Sequence, residues 1–466
     1  MAAVYGGPHQ ARSAPRQPAE HLSAGQWLCG PCARHLDPCS RIAALQRVVR
    51  ATRTHTDSKM PPALLPEWPA TWADTLPPTR SAALARVSRV RPALYAKTRN
   101  HLEGAVTGLS PYLTHGLLTL PEVLAQLLRS GRLTVEHKLV YEFGWREFFR
   151  HAWTHAGDGI LQSIHPGPLP DDAYAPALPD DIRRGGTGVP VIDQAVRTLY
   201  NTGTLHNHAR MWLASYVVHV RQIHWRAGAD WLVAHLLDGD LASNHLSWQW
   251  VAGTGSHKPY LFNADNVARY APESWHSPGS VIDCSYEELD RLARSHNKPK
   301  HAIVADITPA AEPALHTAPP AGLGVVAPDA AGSQTLQGRD VWLVHPWALR
   351  EPPADVPADA VRIGVYLKEH HAQWPWPEAR WRWVDSAMTQ ITSLRWHTDA
   401  AGLAAALRGA TRVRSVADPH IDRWLEPLAH LEEAPALFPT VERHCTSFSQ
   451  WWTRATRGLK HAEDLL

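Results

Sequence analysis

Two carboxylates, Asp238 and Asp240, flank a glycine at the end of a predicted helical run. They begin the segment Asp238–Trp250, which reads DGDLASNHLSWQW. Carboxylates this close repel each other, so each needs a cationic partner. Arg146 and Arg210, both in predicted helices, are the candidate partners. The alternative is a solvated turn followed by a pair of core tryptophans, because most charged runs lie on the surface.

A second candidate site lies in the segment Gly104–Leu113, which reads GAVTGLSPYL. Glycine and small hydroxyl residues precede Pro111, which we place at the first helical position, where proline is favoured. The start of such a helix offers free N–H groups and hydroxyl donors to an anion such as a phosphate. The alternative is an ordinary helix cap, because capping is the common use of serine and threonine at this position.

Two further segments carry clustered polar residues. In the segment Glu142–Arg150 (EFGWREFFR), Glu142 and Arg146 are four residues apart and share a helix face. A plain helix ion pair is therefore the simplest interpretation. In the segment His206–Met211 (HNHARM), the two histidines are two residues apart, whereas a helix presents two ligands to one metal at i and i+4. We therefore predict no metal site.

Helical periodicity dominates residues 80–300 and must position these segments. Apolar residues recur at i, i+3 and i+4 through several stretches, which clusters of proline, glycine and aspartate separate. The pattern predicts an all-helical domain over residues 61–300. Its clearest predicted helices are Leu117–Leu128, His137–His151, Val191–Tyr200, His206–His224 and Ala229–Leu237.

The chain changes character on either side of that domain. Residues 1–60 lack periodicity and are predicted to be a disordered or non-native extension, with Met60 as a candidate natural start. Residues 301–338 are rich in alanine and proline and predict a linker without regular elements. Residues 339–466 predict a small α/β domain with a parallel sheet, because short β-branched runs alternate with helical stretches. Its predicted elements are Val341–Val344, Val361–Leu367, Trp381–Ile391, Ala400–Leu407 and Val413–Val416.

Composition excludes several classes of protein. The 46 Lys and Arg residues against 44 Asp and Glu give a formal charge of +2, so any DNA binding must come from a local patch. No run of 18 apolar residues exists, and Met1–Gln10 lacks the pattern of a secretory signal.

Five cysteines argue for a reducing, cytoplasmic compartment. Cys29 and Cys32 have the spacing of a redox motif, but we interpret them as incidental because the expected strand and helix are missing.

From Tyr95 to Pro272, the order and spacing of these segments resemble the flavin-binding helical domain of the photolyase/cryptochrome family. In that family a TSxLSP-like segment is followed by WREF, KTGxPxxD, HNxxRM, DGDLAxN and WQW. The third of these motifs appears here at Gly186–Asp193 as GTGVPVID. Each motif is short, but so many in one order are highly specific. The resemblance implies a mainly α fold, in which a helical FAD-binding domain precedes a smaller α/β domain.

The resemblance implies a deeply buried, U-folded FAD. Arg210 and Asp238 would form a buried ion pair against the flavin ring, and Asp240 would contact the edge of that ring. Asn244 would face flavin N5, where plant cryptochromes have an aspartate. A neutral amide cannot supply a proton there, which favours full reduction of the flavin. The phosphates would be bound by Tyr95, Thr107, Gly108, Leu109 and Ser110, with Arg146 nearby.

The resemblance also implies a substrate, a flipped cyclobutane pyrimidine dimer in single- or double-stranded UV-damaged DNA. Trp145 and Trp250 would be flat apolar walls, and Glu142 would hydrogen-bond a pyrimidine edge. Light would excite the reduced flavin, an electron would move to the dimer, and the cyclobutane ring would split. The expected dimer contacts are Glu142, Trp145, Asn207, Met211 and Trp250, and the expected catalytic residues are Glu142, Asn244, Trp225 and Trp248.

An electron-transfer chain is implied as well, with Trp248 as its proximal member and Trp225 as its middle member. The family's distal tryptophan is not identifiable, because the loop Pro166–Ile182 contains Tyr174 but no tryptophan. The third position is left open between Tyr174, Trp212, Trp231 and no residue at all.

The sequence departs from the family in several ways. The helical domain comes first, so residues 339–466 resemble a permuted, degenerate antenna domain whose chromophore is left open. Thr204 stands where the family has tryptophan, Val106 where it has a hydroxyl residue, and His208 where it has arginine. The exchange of arginine for histidine at position 208 weakens the binding of a phosphate that the resemblance implies. The alternative function is therefore a cryptochrome-like blue-light photoreceptor without repair activity. We expect a monomer, and the sequence identifies no protein partner.

Overall fold

Helices precede a parallel sheet in the computed structural model, which describes residues 75–256, 258–295 and 309–466. The predictions for residues 1–60, for Cys29 and Cys32, and for residues 301–308 of the linker lie outside the described residues. The region before residue 295 is helical, as predicted. Its helices are α1 (Arg80–Val87), α2 (Pro92–Thr98), α3 (Ser110–Thr114), α4 (Leu120–Leu128), α5 (Lys138–Ala156), α6 (Asp180–Arg183), α7 (Pro190–Thr202), α8 (Asn207–Ser215), α9 (Trp225–His235), α10 (Leu241–Ala252), α11 (Ala264–Tyr270) and α12 (Tyr286–Ala293).

Local sequence sets the ends of the two helices that carry most of the candidate residues. The His137 side chain accepts a hydrogen bond from the Leu139 N–H (3.2 Å) at the start of α5. The carboxylate of Asp240 accepts one from the Ser243 N–H (2.8 Å) at the start of α10. The same helix ends at Gly253, whose φ of 82° favours glycine. Asp240 therefore acts as a helix cap in addition to any other role.

The predicted helix His206–His224 is not one α-helix. After α8 the backbone continues as a π-helix, Tyr216–Val220, and then turns sharply. Gln222 has a φ of 51°, an uncommon conformation for a residue other than glycine. Its side-chain amide donates to the Ser295 carbonyl (2.5 Å), which binds this turn to the end of α12. Periodicity of apolar residues does not distinguish a π turn from an α turn, so this change was not predicted.

Strands and helices alternate after residue 309, which confirms the predicted α/β region and its parallel sheet. Five strands form the sheet in the order β5-β3-β2-β6-β7, with every pair parallel. The strands are β1 (Leu315–His316), β2 (Asp340–Val344), β3 (Val361–Leu367), β4 (Trp376–Pro377), β5 (Leu394–Thr398), β6 (Arg412–Val416) and β7 (His430–Glu432). The helices are α13 (Ala330–Gln334), α14 (Lys368–Gln373), α15 (Glu378–Met388), α16 (Ala400–Leu407), α17 (Asp422–Leu425) and α18 (Phe448–Ala455).

The strand order reverses between β2 and β6, as in doubly wound sheets. Chains leaving the carboxyl ends of those two strands run in opposite directions, which opens a crevice between them. His345 follows β2, and Asp418 and His420 lie just after β6. These three side chains are buried, so the crevice is covered in this protein.

The predicted linker contains regular structure after all. Strand β1 pairs antiparallel with β4, and the side chain of Asp329 caps α13. Both elements are short and are stabilised by the folded region they contact: the Trp381 indole N–H, for example, donates to the His316 carbonyl (3.1 Å). The prediction that no regular element forms between residues 301 and 338 is therefore wrong for these two segments.

Two hydrophobic clusters form the core, and one of them extends across the predicted domain boundaries. One cluster combines side chains of α1 to α5 with those of the sheet, and the other contains side chains of α6 to α12. The helices before residue 160 thus share their apolar core with a sheet that begins at residue 340. The boundaries at residues 61, 301 and 339 stay predictions.

The last helix, α18, packs on α5 through aromatic side chains. Phe448 stacks on Trp145 with ring centroids 3.9 Å apart and an angle of 10° between the rings. Trp452 covers Gly144, where a Cβ atom would overlap the indole ring. The absence of a side chain at Gly144 therefore permits the close approach of the two helices.

We predict that Gly144→Ala destabilises the protein by about 1–3 kcal/mol, because the added methyl group overpacks a closed contact. Chemical denaturation would measure the change. Gly159→Ala is the control, since its Cβ would meet nothing closer than 3.7 Å. Equal stabilities of the two variants would contradict the close packing of α18 on α5.

Candidate functional site

A buried ion pair joins Arg210 on α8 to Asp238, which lies between α9 and α10. The Arg210 Nη2 atom is 2.8 Å from Oδ1 and 2.9 Å from Oδ2 of Asp238. The Arg210 Nε atom donates to the Leu205 carbonyl (2.8 Å), which fixes the orientation of the guanidinium. Burial raises the pKa of Asp238, but Arg210 and the Ser110 hydroxyl outweigh it and keep that pKa below its ordinary value. The predicted pairing of these two residues is therefore present.

The second carboxylate has a different partner from the one predicted. Arg150 donates from Nη2 to Oδ2 of Asp240 (2.8 Å), whereas the Nη2 atom of Arg146 donates to the Thr114 hydroxyl (3.2 Å). Burial raises the pKa of Asp240, but Arg150 and then Arg146 bring it far below its ordinary value. Arg146 thus lowers the pKa of Asp240 through its positive charge and not through a hydrogen bond. Arg150 lies one turn further along α5 on the same face, so the spacing made it a second candidate but could not decide between the two arginines.

The C-terminal region supplies further charged groups that the motif segments did not indicate. Arg150 donates from its other terminal nitrogen to Oδ2 of Asp418 (2.8 Å). Arg380 on α15 donates to the carbonyls of Val233 (3.2 Å) and Gly239 (2.8 Å). A Cβ at Gly239 would lie 2.6 Å from Nη1 of Arg380, which explains why glycine separates the two aspartates.

Together these residues form a buried cluster with one excess positive charge. Its four guanidinium groups face three carboxylates, and the members affect one another's pKa values. His115 adds no charge, because burial lowers its pKa to about 3. A buried excess cation favours an anionic ligand. The members of this charged cluster are Arg146, Arg150, Arg210, Arg380, Asp238, Asp240 and Asp418.

Glu142 forms no ion pair with Arg146 in the described part of the chain. Its Oε1 atom lies 3.2 Å from the Lys138 ammonium and 3.6 Å from the guanidinium of Arg99. Burial raises the pKa of Glu142 to about 7, against the opposing effects of Arg99 and Lys138. Tyr95 lies beside this group, and its pKa is raised by burial and then by the nearby Glu142. The carboxyl group of Glu142 can therefore bind or release a proton near neutral pH.

The segment predicted to bind phosphates forms a tight turn before a short helix. Gly108 has a φ of 62°, and the Thr107 hydroxyl accepts a hydrogen bond from the Leu109 N–H (3.4 Å). Helix α3 begins at Ser110, so Pro111 occupies its second position rather than the first. Leu109 is the cap residue and makes no side-chain cap bond, so the ordinary capping alternative is wrong. Ser110 instead interacts with the carboxylate of Asp238.

Residues expected to contact a dimer are mostly buried. The side-chain Nδ2 atom of Asn207 donates a hydrogen bond to the sulfur of Met211 (3.7 Å), and Trp250 packs against Tyr260. One face of Trp145 is covered by Phe448, so only its other face could contact a ligand. His208 bonds to the Asn100 carbonyl (2.7 Å) and packs against core rings. The residue that replaces the family's arginine therefore points into the core.

The two tryptophans of the expected electron-transfer chain are both buried. Trp248 on α10 packs over Gly228 on α9, where a Cβ would overlap its ring. Trp225 donates from its indole N–H to the Ser163 hydroxyl (3.0 Å). Of the candidate third members, Tyr174 approaches Trp225 through His224, with ring centroids 6.3 Å and 5.8 Å apart in turn. Trp212 instead donates to Asn266, and Trp231 donates to Tyr200.

Several buried side-chain polar atoms have no hydrogen-bond partner among the described residues. Buried polar groups are nearly always hydrogen-bonded in native proteins, so these atoms fit a bound group that carries its own donors and acceptors. Asn244 is typical: its Nδ2 atom donates to the Ala229 carbonyl (2.8 Å), whereas its Oδ1 atom has no partner. Those at the candidate site, apart from the ion-paired atoms of Arg99 and Glu142, are Asn207 Oδ1, Asn244 Oδ1, Ser247 Oγ and Trp248 Nε1.

The described residues contain neither a cluster of metal-ligating side chains nor a helix suited to a membrane. No group of three or more histidine, cysteine, aspartate or glutamate residues in this part of the chain could bind a metal ion. No helix there has both the length and the apolar character needed to span a bilayer.

Residues 139–298 match the family model of the FAD-binding domain of DNA photolyase. This helical region is similar to the FAD-binding domain of the photolyase/cryptochrome family. The match contains Arg146, Arg210, Asp238 and Asn244, and it confirms FAD as the expected cofactor. The buried excess charge and the unpartnered polar atoms fit such an anionic, polar group.

Relatives in the photolyase/cryptochrome family include both photolyases and cryptochromes. The chain is 30% identical over 224 residues to the deoxyribodipyrimidine photo-lyase of Streptomyces griseus, which covers 44% of this chain and 48% of that protein. It is 32% identical over 245 residues to the cryptochrome DASH of Oryza sativa subsp. japonica, which covers 49% and 41%. A crystal structure of a Synechocystis sp. PCC6803 cryptochrome is 28% identical, with a TM-score of 0.37 over 41% of this chain and 43% of that one. The chain spans about half the length of the curated relatives it matches.

We predict a pH-dependent contribution of Glu142 to stability. The raised pKa means that folded protein retains a proton which the unfolded chain releases between pH 4.5 and about 7. We compare the free energies of unfolding of wild type and Glu142→Gln at each pH. The value for wild type minus the value for the variant should therefore fall as the pH rises through this range, by up to about 3 kcal/mol. Urea denaturation at a series of pH values measures this difference. It should be constant below pH 4.5, and a difference that never changes with pH would contradict the raised pKa.

Proposed function

We propose that this protein is a light-driven flavoenzyme, a deoxyribodipyrimidine photolyase that repairs cyclobutane pyrimidine dimers in UV-damaged DNA. The observation that carries the proposal is the unpartnered Oδ1 atom of Asn244, on a helix that starts next to the buried Arg210–Asp238 pair. Photo-lyase relatives at about 30% identity support the same reading. Asn244 would contact flavin N5 through this free acceptor, and the ion pair would lie against the ring.

The protein would bind FAD with residues from both ends of the helical region. When bound, FAD would supply the photoexcited electron that splits the dimer. Asp240 would contact the flavin edge, while Arg146 and the segment Thr107–Ser110 (with Gly108 and Leu109) would bind the phosphates. Tyr95, which lies beside Glu142, would bind the phosphates together with them.

The substrate would lie against Glu142, Trp145, Asn207, Met211 and Trp250. The carboxyl group of Glu142 would donate or accept a hydrogen bond at a pyrimidine edge, since its pKa of about 7 makes both forms accessible. The unpartnered Oδ1 atom of Asn207 would accept a second hydrogen bond. A net charge of only +2 means that phosphate contacts must come from a local patch, and binding should weaken with salt. We propose a cytoplasmic monomer.

We propose Tyr174 as the distal member of the electron-transfer chain, after Trp248 and Trp225. The ring contacts through His224 support this assignment, and the half-buried position of Tyr174 gives it access to a reductant.

We propose that the C-terminal sheet is a permuted, degenerate antenna domain without its chromophore. The strand order supports the relationship, because it is that of a doubly wound ligand-binding sheet. The crevice at the reversal of the order would bind the ligand in such a sheet, but here aromatic side chains fill it. Trp347 stacks on His420 with ring centroids 4.4 Å apart, and the Nε2–H of His345 donates to the Val416 carbonyl (2.9 Å).

A second candidate function is a cryptochrome-like blue-light photoreceptor that binds FAD without repair. Two observations favour it. Phe448 covers one face of Trp145, and His208 is buried where the family has an arginine that could reach a phosphate. Both features would reduce contact with a flipped dimer and its backbone.

A repair assay distinguishes the two functions. We expect the purified protein to carry FAD and, when reduced and exposed to blue light, to remove dimers from UV-treated single- or double-stranded DNA. The dark reaction is the control for light, and Glu142→Gln should repair more slowly at equal FAD content. Photoreduction without any turnover on either DNA would favour the photoreceptor. A colourless protein that cannot be reconstituted with FAD would contradict both.

The assigned electron chain predicts that Trp248→Phe greatly slows reduction of bound FAD by blue light and an external reductant. Absorbance at the flavin band follows the reaction. Trp212→Phe is the matched control, because Trp212 is equally buried but donates to Asn266 and stacks on Phe262. Equal rates in wild type and Trp248→Phe would refute the chain.

A further inference from the structure

Three consecutive residues at the proposed flavin site, Gly239, Asp240 and Leu241, are bound to the C-terminal region, directly or through Arg150. The carbonyl of Gly239 accepts from Arg380 (2.8 Å). The carboxylate of Asp240 accepts from Arg150, whose other nitrogen donates to Asp418. The N–H of Leu241 donates to Nε2 of His420 (3.3 Å). The contacts made by Arg380, Asp418 and His420 join residues more than 140 positions apart in the chain, and the Arg150–Asp240 contact joins residues 90 positions apart.

Asp418 is itself rigidly oriented. Its Oδ1 atom bonds to Nδ1 of His420 (2.6 Å) and accepts from the N–H of the same residue (3.1 Å). Because Nε2 of His420 accepts from Leu241, the ring proton lies on Nδ1 and the imidazole is neutral. Oδ2 of Asp418 is thus left to bind Arg150. The Asp418 carboxylate is the fixed end of a bridge that continues through Arg150 to Asp240.

Arg380 has an equally defined position. Its guanidinium lies over the Trp376 ring at 4.2 Å from the centroid and donates to two carbonyls, those of Val233 and Gly239. A planar guanidinium can donate in both directions at once, which a lysine ammonium on a flexible stem cannot reproduce. Arg380 therefore fixes the end of α9 relative to the peptide between the two aspartates.

We propose that Asp418 and Arg380 of the C-terminal region are positioning residues of the flavin site, which set the place of Asp240 and Gly239 and thereby the affinity for FAD. The inference rests on the proposed function only in placing FAD beside Asp240. It assigns the C-terminal region a direct part in the cofactor site, separate from any role in light harvesting.

The test compares Asp418→Asn with Asp385→Asn. Asp385 is a matched carboxylate of the same region: it is buried, accepts from Arg395 (2.9 Å) and Tyr366 (3.2 Å), and is not part of the bridge. FAD dissociation constants of the apo-proteins are measured by titration with flavin fluorescence, and thermal unfolding of the apo-proteins is recorded in parallel. We expect Asp418→Asn to raise the constant by about tenfold, or about 1.4 kcal/mol, and Asp385→Asn to leave it unchanged.

A second measurement separates positioning from a general loss of stability. In an Arg150→Met background the change Asp418→Asn should have no further effect on FAD affinity, because its route to Asp240 has been removed. The midpoint potential of bound flavin should become more positive in Asp418→Asn, which removes a negative charge, and should not move in Asp385→Asn. If Asp418→Asn does not fold, Asp418→Glu and Arg380→Lys are measured, and each should still weaken FAD binding.

The outcomes distinguish this inference from the proposed function. Equal FAD affinities of the Asp418 and Asp385 variants, or of the two replacement variants and wild type, would overturn the inference while the repair proposal stands. FAD binding that responds to Asp418 without any dimer repair would support the inference and refute repair. A wild-type protein that binds no FAD would overturn both.

Discussion

The burial of three carboxylates, Asp238, Asp240 and Asp418, is the constraint on which the rest of the structure depends. A carboxylate taken out of water is strongly destabilising unless a cation and hydrogen bonds compensate it. Arg210 compensates the first, and Arg150 compensates the other two together. Because Arg150 lies on α5 while Asp418 follows β6, this requirement joins the helical region to the sheet at the place where a ligand would bind.

The same requirement explains the arrangement of the apolar core. A sheet that acted only as an appended module would bury its own face and contact the helices weakly. Here α1 to α5 share one hydrophobic cluster with the sheet, and the crevice at its carboxyl edge is filled by side chains that meet α10. The crevice has thus become an internal contact.

Local sequence patterns predicted the positions of helices and strands, which depend on residues close together in the chain. The helices and strands followed from periodicity, and Ala400–Leu407 and Val361–Leu367 have the bounds that were predicted. The Arg210–Asp238 pair could be predicted because both residues belong to ordered motifs. The choice of Arg150 over Arg146 could not, since both lie on one face of α5 and only the position of Asp418 decides between them. The stacking of Phe448 on Trp145 likewise joins residues about 300 positions apart, which no periodicity reveals.

The chemistry of the site follows from how its charges are balanced. In the proposed site, the neutral Asn244 cannot donate a proton as a carboxylic acid would, so other groups would have to stabilise negative charge on a bound flavin. The one excess guanidinium in the charged cluster can do this, provided that its carboxylates keep their positions. Two of the seven members of that cluster, Arg380 and Asp418, come from the C-terminal region. In the proposed site, a reduced, anionic flavin bound by the helical region would therefore depend on the C-terminal region for part of its electrostatic stabilisation.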